Sequence, residues 1–184
     1  MKKTYLFLAD GFEETEALAT VDLLRRAGVK VEMVSINETV AVKGAHDIEV
    51  AADKVLGQED MSDAEMLILP GGMPGASNLA ANAQVCELLT AQHERGGKIA
   101  AICAAPAVVL APLGIVDGYD ATCYPGFEEG LSAGGAYTKH QRVVVDRDVI
   151  TANGPSSVFP FALSIVEAVK GQDAADEVAA GILL

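Results

Sequence analysis

Cys103 ends the apolar run Lys98-Ile-Ala-Ala-Ile-Cys103 and is followed by Ala104-Ala105-Pro106, small residues and a proline that open a helix. A buried strand turning directly into a helix holds its corner residue at the edge of a sheet. There it faces the unpaired N–H groups of the next helix, which favour negative charge. A thiol in that position is expected to be open to reagents and to ionise more readily than a free cysteine, and the thiolate is the reactive form. The same arrangement built on serine is the nucleophile elbow of hydrolases. The competing reading is packing, because free cysteine often behaves as a small hydrophobe. No bulky side chain lies between Cys103 and Pro106 to cover the sulfur, which favours a nucleophilic or redox-active role.

Glu13, Glu14 and Glu16 form an acidic cluster at the start of a helix. Carboxylates are favourable in a first helical turn, and Glu14 is read that way. Glu13 and Glu16 stand three residues apart and lie near one face, so that at least one can turn inward. A carboxyl beside a thiolate is driven toward its protonated form; it can then donate to the sulfur and shuttle a proton. His93 sits on a charged helix with Glu94 and Arg95 and is expected at the surface, while His46 and His140 fall in polar loops. No Cys-His dyad is legible. The scattered histidines and the lack of C-x-x-C or H-x-x-x-H give no metal site. Cys86 is placed in a helix core; Cys123 stands before Tyr124-Pro125, where it can approach the same site.

The elements that must position these groups alternate. Short apolar strands are read at residues 5–9, 29–36, 66–69 and around Ile99, and helices at 13–27, 83–95 and 105–111. Gly28 closes the first helix. Short strands fall between residues 36 and 51, an antiparallel pair at 143–145 and 149–152, and two final helices at 156–169 and from 174 onward. Such alternation defines an α/β fold with a mostly parallel central sheet. Ligands in these sheets sit outside the carboxyl ends of the strands. Four segments fall there: 10–16, Pro70-Gly71-Gly72, Cys103-Ala104 and Asn153-Gly154-Pro155-Ser156. Neither Gly71-Gly72 nor any other glycine pair makes a phosphate loop, so the glycines are read as tight turns that bring backbone N–H groups close to a ligand.

With 184 residues, 51% apolar and no Trp, the chain is expected to form one domain over residues 1–184 with an aliphatic core. A net charge of −13 argues against nucleic acid and anionic membranes as partners. Three dispersed cysteines suit a reducing cytosol, and the apolar run at the start is too short for a signal peptide or span. A cytoplasmic location is expected.

The chain resembles the ThiJ/PfpI superfamily end to end, and within it the parkinsonism-associated deglycase branch. The resemblance is carried by Glu13-Glu14-Thr15-Glu16, Asp22-Leu-Leu-Arg-Arg26-Ala-Gly28, Leu69-Pro-Gly-Gly72, Ala100-Ala-Ile-Cys103-Ala-Ala-Pro106 and Asn153-Gly-Pro155. It implies a flavodoxin-like three-layer sandwich, a class I glutamine amidotransferase-like domain and a homodimer. It also implies Cys103 as nucleophile, Glu16 as the carboxyl contacting its sulfur, and the N–H groups of Gly72 and Ala104 as the oxyanion pocket. Gly71, Tyr124 and Pro155 complete the pocket. The implied activity is cofactor-free conversion of methylglyoxal to lactate, or repair of its adducts, with no metal. The alternative is redox sensing or chaperone action through a Cys103 sulfinic acid. The superfamily's peptidases place a histidine after the nucleophile, where this chain has Ala104, so proteolysis is not implied. Two departures stand out: Tyr124 replaces the histidine of the animal deglycases, and His46 replaces an arginine, whereas Arg26 is retained. With a free pKa near ~10, tyrosine is a poor base at neutral pH, which leaves proton transfer to Glu16.

Overall fold

The computed structural model describes residues 2–184. The first half of the chain runs β1 (Thr4–Leu8), α1 (Glu14–Arg26), β2 (Val31–Ser35), β3 (Ala41–Lys43), β4 (Glu49–Ala51) and β5 (Lys54–Val55). Next come β6 (Met66–Leu69), α2 (Gly75–Ala81), α3 (Ala83–Glu94) and β7 (Lys98–Ile102), which leads into a π-helical turn over Pro106–Leu110. The remainder comprises β8 (Asp120–Ala121), α4 (Glu128–Ala133), β9 (Tyr137–Thr138), β10 (Val143–Asp146) and β11 (Val149–Ala152). A 3-10 turn over Pro155–Ser157 then precedes α5 (Val158–Lys170) and α6 (Gln172–Gly181).

Seven strands form the central sheet in the order β10-β11-β7-β6-β1-β2-β5. All pairs are parallel except β10 with β11, which turn back on each other about Arg147. Alternate residues of each strand feed opposite faces, as the pleat requires. Tyr5, Phe7, Leu67, Leu69, Ile99 and Ala101 enter the core layer that includes Leu79, Leu89 and Leu110. Leu6, Leu8, Met66, Ile68, Ala100 and Ile102 enter the layer that includes Val21, Leu24, Phe161 and Ile165. Both faces are therefore covered, which is why the strands read as continuous apolar runs. The result is the expected α/β sandwich, flavodoxin-like in its layers.

Local signals hold the first helix in place. The Glu13 side chain caps α1 by accepting the Glu16 N–H at 2.7 Å. At the other end Gly28 (φ 69°) donates its N–H to Arg25 O and Val29 donates to Leu24 O, a Schellman closure that needs the left-handed glycine. Five elements escape the sequence reading: α2, α4, and the two-residue strands β5, β8 and β9. α2, Gly75-Ala-Ser-Asn-Leu-Ala-Ala81, carries too few apolar positions to show a helical period, and α4 holds a single buried residue, Leu131. The helix expected at 105–111 is a π-helical turn, with Ala111 N–H bonding Pro106 O.

Candidate active site

The four sheet-end segments converge because their strands β11, β7, β6 and β1 are neighbours. Cys103 N–H extends the β7–β11 pairing by bonding Ala152 O at 2.8 Å, and Glu13 N–H bonds Gly71 O at 3.0 Å. The chain then turns sharply at Cys103, whose φ is 67°. A left-handed conformation is uncommon for a residue with a Cβ and marks strain held by the surroundings. Here the holding contacts are the Ala152 carbonyl on one side and Tyr124, whose N–H donates to Cys103 O at 2.8 Å, on the other. A residue that serves only as core filler has no need of this backbone.

Glu16 is the inward-turning carboxylate. It is 0% exposed, and its Oε2 accepts the Gly71 N–H at 2.8 Å. Its Oε1 is buried without a hydrogen-bond partner, and the carboxyl lies beside the Cys103 thiol. Glu13 instead serves as the helix cap, and Glu14 departs from the simple first-turn reading. Glu14 is buried, 4% exposed, and its carboxylate binds both the His46 N–H at 2.7 Å and His46 Nδ1 at 2.8 Å. Glu14 thus ties the turn between β3 and β4 to α1.

Gly71 and Gly72 are required by close approach. A Cβ on Gly71 would stand 2.5 Å from the Cys103 Cβ and 2.8 Å from Glu16 Oε2. At Gly72 (φ 87°) it would meet the Glu13 backbone nitrogen at 2.4 Å. The bare backbone lets the Gly72 N–H reach the Cys103 sulfur, and the Ala104 N–H reaches it from the elbow. Tyr124 stands 44% exposed beside this cleft, its ring packed over Gly154 and edge-on to Phe127. Pro155 opens the turn that follows.

The sulfur departs from expectation in two ways. Cys103 is 8% exposed rather than open. Burial, together with the charge of Glu16, pushes its thiol up to about 12 instead of down. Burial likewise raises Glu16 to about 7. The two groups are one coupled acid, and the first proton they lose belongs to the pair. Two backbone donors, Gly72 N–H and Ala104 N–H, face the sulfur, while the carboxylate accepts from Gly71 N–H and from the Cys103 thiol. The first negative charge therefore falls on Glu16, and its carboxylate holds the proton on Cys103 until a substrate takes the sulfur.

The other titratable groups lie elsewhere. Cys123 belongs to the opposite core layer from Cys103, and Cys86, only half-buried, directs its thiol to Ala80 O. His93 is half-buried rather than fully at the surface: it packs on Tyr119 with ring centroids 5.8 Å apart and its Nδ1 is buried. Among the described residues no hydrogen bond or ion pair joins a histidine to Cys103. Among the described residues, Glu13, Glu14 and His46 are the one group of at least three ligand-type side chains whose donor atoms all lie within 4.8 Å. Glu14 and His46 already satisfy each other there.

A flavodoxin-like sandwich with a strained cysteine at its strand-to-helix elbow, faced by backbone N–H groups and a buried carboxyl, defines a class of α/β proteins with a nucleophile-elbow thiol. Within that class the chain belongs to the DJ-1/PfpI family, whose model matches residues 2–168. It is 38% identical to the protein dj-1beta of Drosophila melanogaster, over 100% of this chain and 97% of that one. It is also 38% identical to a Caenorhabditis elegans protein named glutathione-independent glyoxalase DJR-1.2, over 88% of this chain and 84% of the relative. Among solved structures, oxidized DJ-1 of Toxoplasma gondii superposes with a TM-score of 0.93 at 34% identity, covering 100% of this chain and 98% of that one. No described helix is long and apolar enough to cross a membrane.

Proposed function

We propose that the protein is a cofactor-independent glyoxalase or deglycase that acts on methylglyoxal or its adducts through Cys103. The observation that carries this reading is the shared enclosure of the Cys103 sulfur, the Gly72 and Ala104 N–H groups and the unpartnered Glu16 Oε1. The name of the Caenorhabditis elegans relative supports the same reaction class.

Glu16, as carboxylate, takes the Cys103 proton as the sulfur adds to the aldehyde carbon of methylglyoxal, forming a C–S bond, and hands that proton on to the new oxygen. The resulting alkoxide is stabilised by the two backbone N–H groups and takes up a proton. Glu16, as carboxylate, removes the hydrogen on that carbon as a proton, giving an enediol, and returns it to the adjacent carbon. The product is a lactoyl thioester. Water breaks its C–S bond, releasing lactate and regenerating the thiol. Methylglyoxal plus water becomes lactic acid, with no net oxidation and no external hydride. Adduct repair runs through the same attack, with the amine or thiol of the adduct as leaving group. The working form in this reading is a cytoplasmic homodimer. The hairpin of β3 and β4 stands apart from the central sheet, and Val40 and Ile48 on its flanks are 40% and 53% exposed, a surface suited to a second copy.

The test is lactate formation from methylglyoxal with chelator present and glutathione absent. Wild type makes lactate, while Cys103→Ser and Glu16→Gln do not. Equal lactate from Cys103→Ser overturns the proposal. A second reading, redox sensing, is favoured by the same unpartnered carboxyl, since a protonated Glu16 can donate to a sulfinate on Cys103. Peroxide that adds two oxygens to Cys103 in a protein without turnover would select it.

A further inference from the structure

Beside the Cys103 cleft lies a separate cavity of about 210 Å³, lined by Cys123, Glu128, Thr138, Lys139, His140 and Asn153 among others. It is the immediate neighbour of the site. Pro125 and Asn153, which border it, are the chain neighbours of Tyr124 and Gly154, and those two pack on each other at the cleft. Tyr124 is also bonded through its N–H to Cys103 O, so the segment Cys123-Tyr124-Pro125 runs from the cavity wall to the cysteine. The chemistry of its walls is mixed. Glu128 uses Oε2 to accept the Gly126 N–H, which leaves Oε1 free, and its charge is felt by both Cys123 and His140. Opposite charge comes from Lys139, shared with Asp120 at 3.2 Å, and the exposed ring of His140 lies on the same wall. The Cys123 thiol, 5% exposed, contributes a buried wall with its proton held on by burial.

A lone anion would be repelled by Glu128 and a lone cation by Lys139. A group carrying both charges a few ångströms apart satisfies both. The volume corresponds to roughly seven waters at ~30 Å³ each, enough for the head of an amino acid but not for a nucleotide. We propose that this cavity is an accessory substrate site that binds the α-ammonium and α-carboxylate of an amino acid whose side chain carries the dicarbonyl adduct. Glu128 takes the ammonium; Lys139, His140 and the Asn153 amide take the carboxylate. The inference rests on the reaction proposed above for its activity arm, and on binding alone for its other arm.

Binding is read by amide NMR with L-alanine as the zwitterionic probe, and with N-acetyl-alanine and alanine amide as probes that lack one charge each. L-alanine is expected to shift the resonances of Cys123, Lys139 and His140, and neither control nor a Glu128→Gln protein should reproduce those shifts. Turnover is read with the methylglyoxal adduct formed on the side chain of L-arginine, against free methylglyoxal. Glu128→Gln and His140→Ala, the latter at an exposed position, are expected to raise KM for the adduct about tenfold, the loss of one charge-assisted contact, and to leave free methylglyoxal unchanged. Unmoved cavity resonances with L-alanine overturn the inference, as do equal effects on both substrates. Should the wild type turn over neither substrate, the reaction assignment fails and the NMR result alone decides this site.

Discussion

Glu16 Oε2 accepts the Gly71 N–H at 2.8 Å while its Oε1 is buried without a hydrogen-bond partner. The Gly71 bond fixes the carboxyl in one orientation beside the Cys103 thiol. One oxygen is anchored to the loop after β6, and the other is left without a bond in the interior. The same loop supplies the Gly72 N–H to the sulfur. A single turn, Pro70-Gly71-Gly72, therefore orients both members of the pair.

Gly71→Ala should damage the site more than any conservative exterior change. The added methyl would lie 2.5 Å from the Cys103 Cβ and 2.8 Å from Glu16 Oε2, so the elbow or the carboxyl must move. Overpacking of this kind costs about 1–3 kcal/mol. Denaturant melts should show that loss, together with near-complete loss of Cys103-dependent turnover. A variant of unchanged stability and full activity would contradict the packing described.

Glu16→Gln should stabilise the fold above neutrality. Folded Glu16 titrates at about 7 against an ordinary value of 4.5, so the folded state holds a proton that the unfolded state has released. Stability consequently falls as pH rises through that window. The full effect is roughly 3 kcal/mol at ~1.4 kcal/mol per pH unit. Unfolding free energies of both proteins from pH 4.5 to 8 check this: the gap in favour of Glu16→Gln should open with rising pH. A constant or closing gap would contradict the burial argument.

His46→Ala should loosen the turn between β3 and β4 in a pH-dependent way. His46 is raised by Glu14, so its contribution is complete below about 6.5 and fades as pH climbs through the folded value. Glu14 is lowered by its bonds to His46, so its contribution appears above 4.5 and fades in acid. The deficit of the variant should therefore be greatest between those limits. Hydrogen exchange of residues 44–48 measures it directly, and a deficit that grows steadily into alkali would contradict the pairing.

The parallel sheet, the segments at its strand ends and the elbow at Cys103 were legible because they rest on local apolar runs and turn residues. Glu16 was harder. Spacing left Glu13 and Glu16 on one face, and only the fold decides between them, by making Glu13 the cap and turning Glu16 inward. The burial of Glu14 against His46 had no sequence signal, since the two meet through the turn after β3, 32 residues away. The direction of the Cys103 shift was misread for a physical reason: the elbow's N–H groups were visible in the pattern, but the desolvation that outweighs them depends on packing from β6 and α1. The cavity at Cys123 was beyond reach because α4, β8 and β9, around which it forms, carry almost no periodicity.

Alkylation of each cysteine against pH, read by peptide mass, tests most directly whether Glu16 activates Cys103 by taking its proton. Cys103 should react more than about tenfold faster at pH 8 than Cys86 or Cys123, with a rate that rises through the Glu16 ionisation at about 7 and falls in Glu16→Gln. If Cys103 stays as inert as Cys123 up to pH 9, Glu16 does not activate it and the thiol is an unreactive buried side chain. The nucleophile assignment then fails.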